Sequence, residues 1–208
     1  MSRHSAEDEQ ELLRLYAAAL DRFGQLVVAA GAGQWAAATP CTDWTVRDVV
    51  NHLTVEQLWV PAMLAGSTVA EVGDRFDGDV LGDDPAAAWS DAAEAARRAF
   101  AEPGALERTV HLSYGDRGAY GYCREMTVDA VVHAWDLAVG LGEDSAMAPD
   151  AAEFVLAEIT PYADKLPASG VFAPAVPVPV GADAQTRLLG MMGRDPADPL
   201  GRGAGGGR

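Results

Sequence analysis

Residues 126–140, MTVDAVVHAWDLAVG, repeat apolar side chains at helical spacing over their whole length, and this constrains the chain more than any other feature. A helix with so broad an apolar surface has to bury it against other helices, which points to a bundle. Asp129 and His133 stand four residues apart in the middle of the stretch and therefore share one face. That face can meet solvent, or hold a buried Asp–His ion pair, or turn inward on a metal ion. Val128, Val131, Val132 and Trp135 leave little polar surface for the first of these.

Four further segments read as helices. Leu12, Leu15, Tyr16, Ala19, Phe23, Leu26 and Val27 form one stripe between Asp8 and Ala30. A second helix opens at TVRDVVNHL, where Thr45 followed by Asp48 has the form of a capping box, and continues past Leu58 and Met63 to a stop at Gly66. Asp84 and Pro85 are a cap and a first-turn proline for a third, which runs through Trp89 to Phe100. The fourth carries the opening stretch and ends near Gly140 or Gly142, and the fifth starts at Pro149 and is interrupted at Pro161. Between the third and fourth, ERTVHLSYGDRGAYGY alternates weakly and reads as a short extended segment or loop.

The expected fold is all-α, an up-and-down four-helix bundle with short extra segments and a Pro-rich C-terminal tail. The division predicted is a bundle over 1–166, a Pro-rich wrapping segment with a short helix near Thr186–Met192 over 167–196, and a disordered Gly-rich tail over 197–208.

Charge narrows the possible partners. With 15 basic and 31 acidic residues the net charge is -16, which argues against nucleic acid and against anionic membrane surfaces. No uncharged apolar run reaches the roughly 18 residues of a membrane span, and the N-terminal MSRHSAEDEQELLRL lacks the apolar core of a signal peptide. A cytoplasmic protein is expected. Cys41 and Cys123 are too few for a disulfide framework or a thiolate zinc site. Cys41 stands just before a helix N-terminus, where an exposed thiol has its pKa lowered, although a packed structural thiol is the commoner fate.

His4 lies near a terminus and His111 in the alternating segment, whereas His52 and His133 each lie within a strongly apolar helix. Two facing helices can set His52 against the Asp129/His133 pair, giving two imidazoles and a carboxylate around a divalent ion with positions left for water or substrate.

The segments TPCTDWTVRDVVNHL, VDAVVHAWDLAVG and FAPAVPVPVGADAQTRLLGMMGRDP together resemble the metal-binding proteins related to the N-terminal domain of mycothiol-dependent maleylpyruvate isomerase, in the DinB-like bundle superfamily. The resemblance runs from about residue 10 to Pro196. It implies a divalent ion, zinc first with nickel or iron as alternatives, held by a His of the second helix and two ligands of a later one. The matching positions are His52, Asp129 and His133; where the isomerase has Glu, this chain has Asp129, one methylene shorter. Glu56 and Asp136, each one turn beyond a His, are by position the natural candidates for orienting the imidazoles, with simple exposed carboxylates as an equal reading.

The isomerase carries a further C-terminal domain that contributes to catalysis, where this chain has a short Pro-rich tail. The resemblance thus implies a thiol-dependent transferase or isomerase acting on a small electrophile with a mycothiol-type cosubstrate, rather than the isomerase reaction itself. A non-catalytic metal or small-ligand binding module on the same bundle is the alternative. Homodimers occur among DinB-like relatives. Trp44, Trp59 and Trp135 are candidates to line a substrate pocket, as is Tyr120 with Tyr122 for a hydroxyl contact, and Arg47 and Arg124 to hold a carboxylate.

Overall fold

The computed structural model describes residues 4–165 and 173–201. The expected boundary at residue 166 and residues 202–208 of the expected tail lie outside the described residues. The described residues contain seven α-helices: α1 (Ala6–Ala29), α2 (Val46–Leu64), α3 (Val69–Val72), α4 (Pro85–Ala101), α5 (Ala119–Leu141), α6 (Pro149–Ile159) and α7 (Ala184–Met191). Two short antiparallel strands, β1 (Thr109–Leu112) and β2 (Gly115–Gly118), form a hairpin with Thr109 opposite Gly118 and Leu112 opposite Gly115.

The ends of the helices follow local chemistry. Ser5 and Thr45 both form capping boxes: the hydroxyl accepts from the backbone N–H of Asp8 or Asp48, and that carboxylate accepts from the cap residue's own N–H at 2.8 Å in each case. Asp84 caps α4 and Pro85 occupies its first turn, where a missing N–H costs nothing. α5 ends on Gly142 in the left-handed conformation, φ 72°, a position that favours glycine. α5 begins at Ala119, well before Met126, because the weakly alternating segment is the hairpin and β2 feeds straight into the helix. The backbone N–H of Ala119 donates to the Arg108 carbonyl at 2.8 Å. Tyr120 and Tyr122 therefore lie within the first turn of α5 rather than ahead of it.

The four long helices close into a ring. α1 packs chiefly on α5 and α2 on α4, while α2 with α5 and α1 with α4 complete the circuit. This is the expected all-α four-helix bundle, built on the apolar stripes described above. Tyr16, Phe23, Leu26, Leu53, Val60, Phe100 and Leu137 are among its fully buried side chains. Each such aliphatic or aromatic group contributes about 1.5–3 kcal/mol through its removal from water. α5 is the most enclosed element. It is buried without a break from Ala130 to Ala138, and it also contacts α6 and the hairpin.

The C-terminal segment joins the same core. Leu188 and Leu189 of α7 are fully buried and belong with Met192 to the continuous cluster, and α7 packs on α6. Among the described residues no helix is long and apolar enough to cross a membrane.

Candidate metal centre

α2 and α5 run side by side, and their facing turns bring His52, Asp129 and His133 together. His52 Nε2 lies 3.2 Å from Asp129 Oδ2, and His133 Nε2 lies 3.4 Å from Asp129 Oδ1. One carboxylate oxygen thus faces each imidazole. The two rings stand edge to face, 5.0 Å between centroids and 75° between planes. The ligand-capable atoms of all three residues lie within 4.8 Å of one another. Two imidazole nitrogens and a carboxylate oxygen so gathered, with no fourth side chain among the described residues closing the group, are a fitting donor set for one divalent ion.

The electrostatics are those of a site short of positive charge. Burial acts on Asp129 to raise its carboxyl, but the charge and hydrogen bonds of His133 and His52 overcome that and hold it well below the usual carboxylate range. Burial likewise acts to lower His133, yet Asp129 and Asp136 outweigh it and hold the imidazole at about 9. In the metal-free protein the imidazolium of His133 is therefore the counter-ion of Asp129.

Asp136 is fully buried rather than an exposed carboxylate. His133 Nδ1–H donates to its Oδ2 at 2.9 Å, which leaves Nε2 as the atom turned toward Asp129. Arg194, from the segment after α7, donates through Nε to Asp136 Oδ1 at 2.9 Å and through Nη2 to Oδ2 at 2.6 Å. Despite its burial, Asp136 is held below the usual carboxylate range by Arg194 and then His133. Glu56, the corresponding candidate on α2, is half-buried, and burial followed by the charge of Asp129 pushes its carboxyl up. Among the described residues no hydrogen bond joins Glu56 to either imidazole.

A pocket of about 650 Å³ opens on the three residues. Trp44 forms one wall, its ring near-parallel to His133 at 5.8 Å and 20° and tilted over His52 at 4.9 Å. Val128, Val132, Ile159 and Met192 supply apolar surface. The three lining arginines are each already paired: Arg117 with Glu125, Arg124 with Glu158 and Arg194 with Asp136.

Three residues proposed for this pocket from sequence stand elsewhere. Trp135, two positions beyond His133, faces the other side of α5 and lines a separate cavity between α1 and residues 145–151. Trp59 packs edge-on against Phe76 at 5.8 Å, and Tyr120 stacks on His4 at 3.9 Å. Arg47 pairs with Asp79 at 2.7 Å, away from the pocket. Arg194 and Met192 were not anticipated, because nothing local in their sequence marks them.

Cys41 lines the pocket, and its Sγ lies within 4.8 Å of donor atoms of His133 and Asp136. Both Asp136 oxygens already accept hydrogen bonds, so this second group is less free to hold an ion. The thiol is not activated as its place before α2 suggested. Burial and then the charge of Asp136 push it up to about 11.

Residues 16–138 match the family described as the mycothiol maleylpyruvate isomerase N-terminal domain, a span that covers more than half of the chain and includes His52, Asp129 and His133. The chain belongs to that family. It is also similar to an uncharacterized protein of Mycobacterium tuberculosis, recorded from strains CDC 1551 and H37Rv, with 32% identity over 134 residues, covering 64% of this chain and 69% of the relative. No solved structure gives a significant match.

Proposed function

We propose that the protein is a metal-dependent thiol transferase or isomerase, which uses one divalent ion at His52, Asp129 and His133 to bring a low-molecular-weight thiol of the mycothiol type onto a small electrophile. The observation that carries this reading is the open donor set: three ligand-capable side chains converge at one end of a 650 Å³ pocket and leave room for a reactant beside them. Membership of a family named for a mycothiol-linked isomerase supports the choice of cosubstrate. Zinc is the proposed ion, with nickel and iron as the alternatives that two nitrogens and a carboxylate also suit.

A divalent ion bound there lowers the pKa of a coordinated thiol, so that the sulfur reacts as a thiolate at neutral pH. The chain's own residues prepare that chemistry. Asp136 accepts a hydrogen bond from His133 Nδ1–H and so fixes the ring with Nε2 toward the centre. Trp44 packs against both imidazoles and walls one side of the pocket. The Val128, Val132, Ile159 and Met192 wall accepts the apolar part of the substrate. Since every lining arginine is neutralised by a carboxylate, the pocket suits an electrophile without multiple negative charges. Thiol chemistry of this kind belongs in a reducing compartment, which supports a cytoplasmic setting.

The test starts from protein purified without a histidine tag. Elemental analysis is expected to find near-stoichiometric metal in the parent and none in a His52→Ala/His133→Ala double variant. No metal in the parent, and none taken up from added zinc or nickel, would sink the reading. Thiol-dependent consumption of an electrophile, lost in His52→Ala, separates catalysis from a module that only binds metal.

A further inference from the structure

The segment that reaches the centre from outside the family-matched region is small and specific. The match ends at residue 138, whereas Arg194 lies 58 positions beyond Asp136. Its side chain is nevertheless only 10% exposed and grips a carboxylate whose exposure is 0%. Two parallel N–H donors on one carboxylate give a geometry as well as a charge, because a planar fork fits a planar acceptor in one orientation. The same carboxylate accepts a hydrogen bond from Nδ1–H of His133, whose side-chain exposure is 9%. The three groups thus form a chain, Arg194 to Asp136 to His133, whose far end is the Nε2 that faces Asp129.

The backbone is shaped to deliver Arg194. Its N–H donates to the Leu189 carbonyl at 2.9 Å, folding the chain back over the end of α7. The turn passes through Gly193 at φ 76°, where an added Cβ would come within 2.6 Å of the Ala173 carbonyl oxygen. Only glycine fits both the conformation and the space. α7 is itself anchored by fully buried Leu188 and Leu189 and by a hydrogen bond from Val176 N–H to the Gly190 carbonyl at 2.8 Å. The guanidinium therefore starts from a fixed base rather than from a loose tail.

We propose that Arg194 is a positioning residue for the metal centre. It acts through Asp136, fixing that carboxylate's rotamer and thereby the ring plane and tautomer of His133. The C-terminal segment is then part of the site and not only a surface wrap. This rests on His133 being a ligand, as proposed above.

The experiment compares zinc affinity, by chelator competition at fixed pH, in the full-length parent, Arg194→Met, Arg194→Lys, Asp136→Asn and the Arg194→Met/Asp136→Asn double variant. Met keeps the apolar stem of Arg and removes the fork. Arg194→Met is expected to weaken zinc binding about tenfold or more, in the range typical of groups that orient a ligating His. Arg194→Lys should recover part of that loss by restoring the charge without the bidentate contact. The double variant should bind no more weakly than Asp136→Asn alone, because Arg194 acts through Asp136.

Nitrogen-15 NMR of the imidazoles provides a readout that a purely structural role would not move. The parent's zinc-bound His133 should show Nδ1 protonated, with that signal broadened or shifted in Arg194→Met. Folded Arg194→Met with parental zinc affinity and an unchanged His133 signal would overturn the proposal, as would fully additive losses in the double variant. If Arg194→Met does not fold, the Arg194→Lys affinity and the parent's Nδ1 signal decide the matter: parental affinity in Arg194→Lys, or an unprotonated Nδ1 in the parent, overturns it. A parent that binds no zinc at all defeats the metal reading itself, which is a different outcome.

Discussion

Trp44 lies almost parallel to the His133 ring, 5.8 Å between centroids and 20° between planes. It also tilts over His52 at 4.9 Å, so one indole touches both imidazoles of the candidate centre. That contact makes Trp44 a built-in reporter. Zinc titration of the metal-free protein is expected to change tryptophan emission, and Trp44→Phe is expected to abolish most of the change while leaving the zinc stoichiometry intact. A full response in Trp44→Phe would show that the signal arises at another of the five tryptophans.

The pairing of His133 with Asp129 predicts a pH dependence for the chelator-treated protein. His133 is raised from 6.5 to about 9, so its stabilising contribution is complete below pH 6.5 and is lost as pH rises through about 9. Asp129 is lowered below its ordinary 3.8, so its contribution is present above pH 3.8 and is lost on further acidification. Urea midpoints measured from pH 6.5 to 9.5 should therefore fall, and His133→Gln should flatten that limb. Zinc has to displace the same proton, so binding near pH 7.5 is expected to release about one proton per ion, measurable by calorimetry in buffers of different ionisation heat.

Within the bundle, the Tyr16 hydroxyl donates to Gln57 Oε1 while Gln57 Nε2 is buried with no hydrogen-bond partner among the described residues. Tyr16→Phe strips the amide of its remaining partner and should cost about 1–3 kcal/mol of unfolding free energy. Replacing both, as Tyr16→Phe/Gln57→Leu, should recover most of that loss, because no polar group is then left unpaired. Additive destabilisation in the double variant would contradict this.

Neither thiol is poised to react. Burial pushes Cys41 up to about 11 and Cys123 up to about 12. At pH 8 only about one Cys41 in a thousand is ionised, since each pH unit below the pKa is a factor of ten. Labelling with a disulfide reagent at pH 8 is expected to be slow for Cys41 and slower for Cys123, with both reacting at once in urea. Fast labelling of Cys41 in the folded protein would reverse this conclusion.

The bundle was legible because its signals are local. The stripe from Leu12 to Val27, the Thr45/Asp48 box and the Asp84–Pro85 start each declare a helix within a few residues, and the structure has all three. Asp129 and His133 could be placed on one face for the same reason. What escaped was set by distant packing. Nothing around residue 194 records that its guanidinium meets a carboxylate 58 positions earlier. Trp44 and Trp135 look alike as apolar residues near the ligands, yet only tertiary placement puts one against the imidazoles and the other on the far side of α5. The early start of α5 was hidden by Gly118 and Gly121, which read as turn residues although the hairpin ends at the first and the helix contains the second.

α5 carries Asp129 and His133, and it is also the helix most thoroughly enclosed by the others. Its central turns cannot unravel without exposing the surfaces of α1 and α2 that rest on it, so loosening the two side chains and losing the fold become a single cooperative event. Backbone amides from Ala130 to Ala138 should then exchange with solvent only through global unfolding. Two of the candidate ligands are thus mounted on the most enclosed helix, and any adjustment to an arriving reactant falls to the rim, where Trp44 stands in the loop before α2.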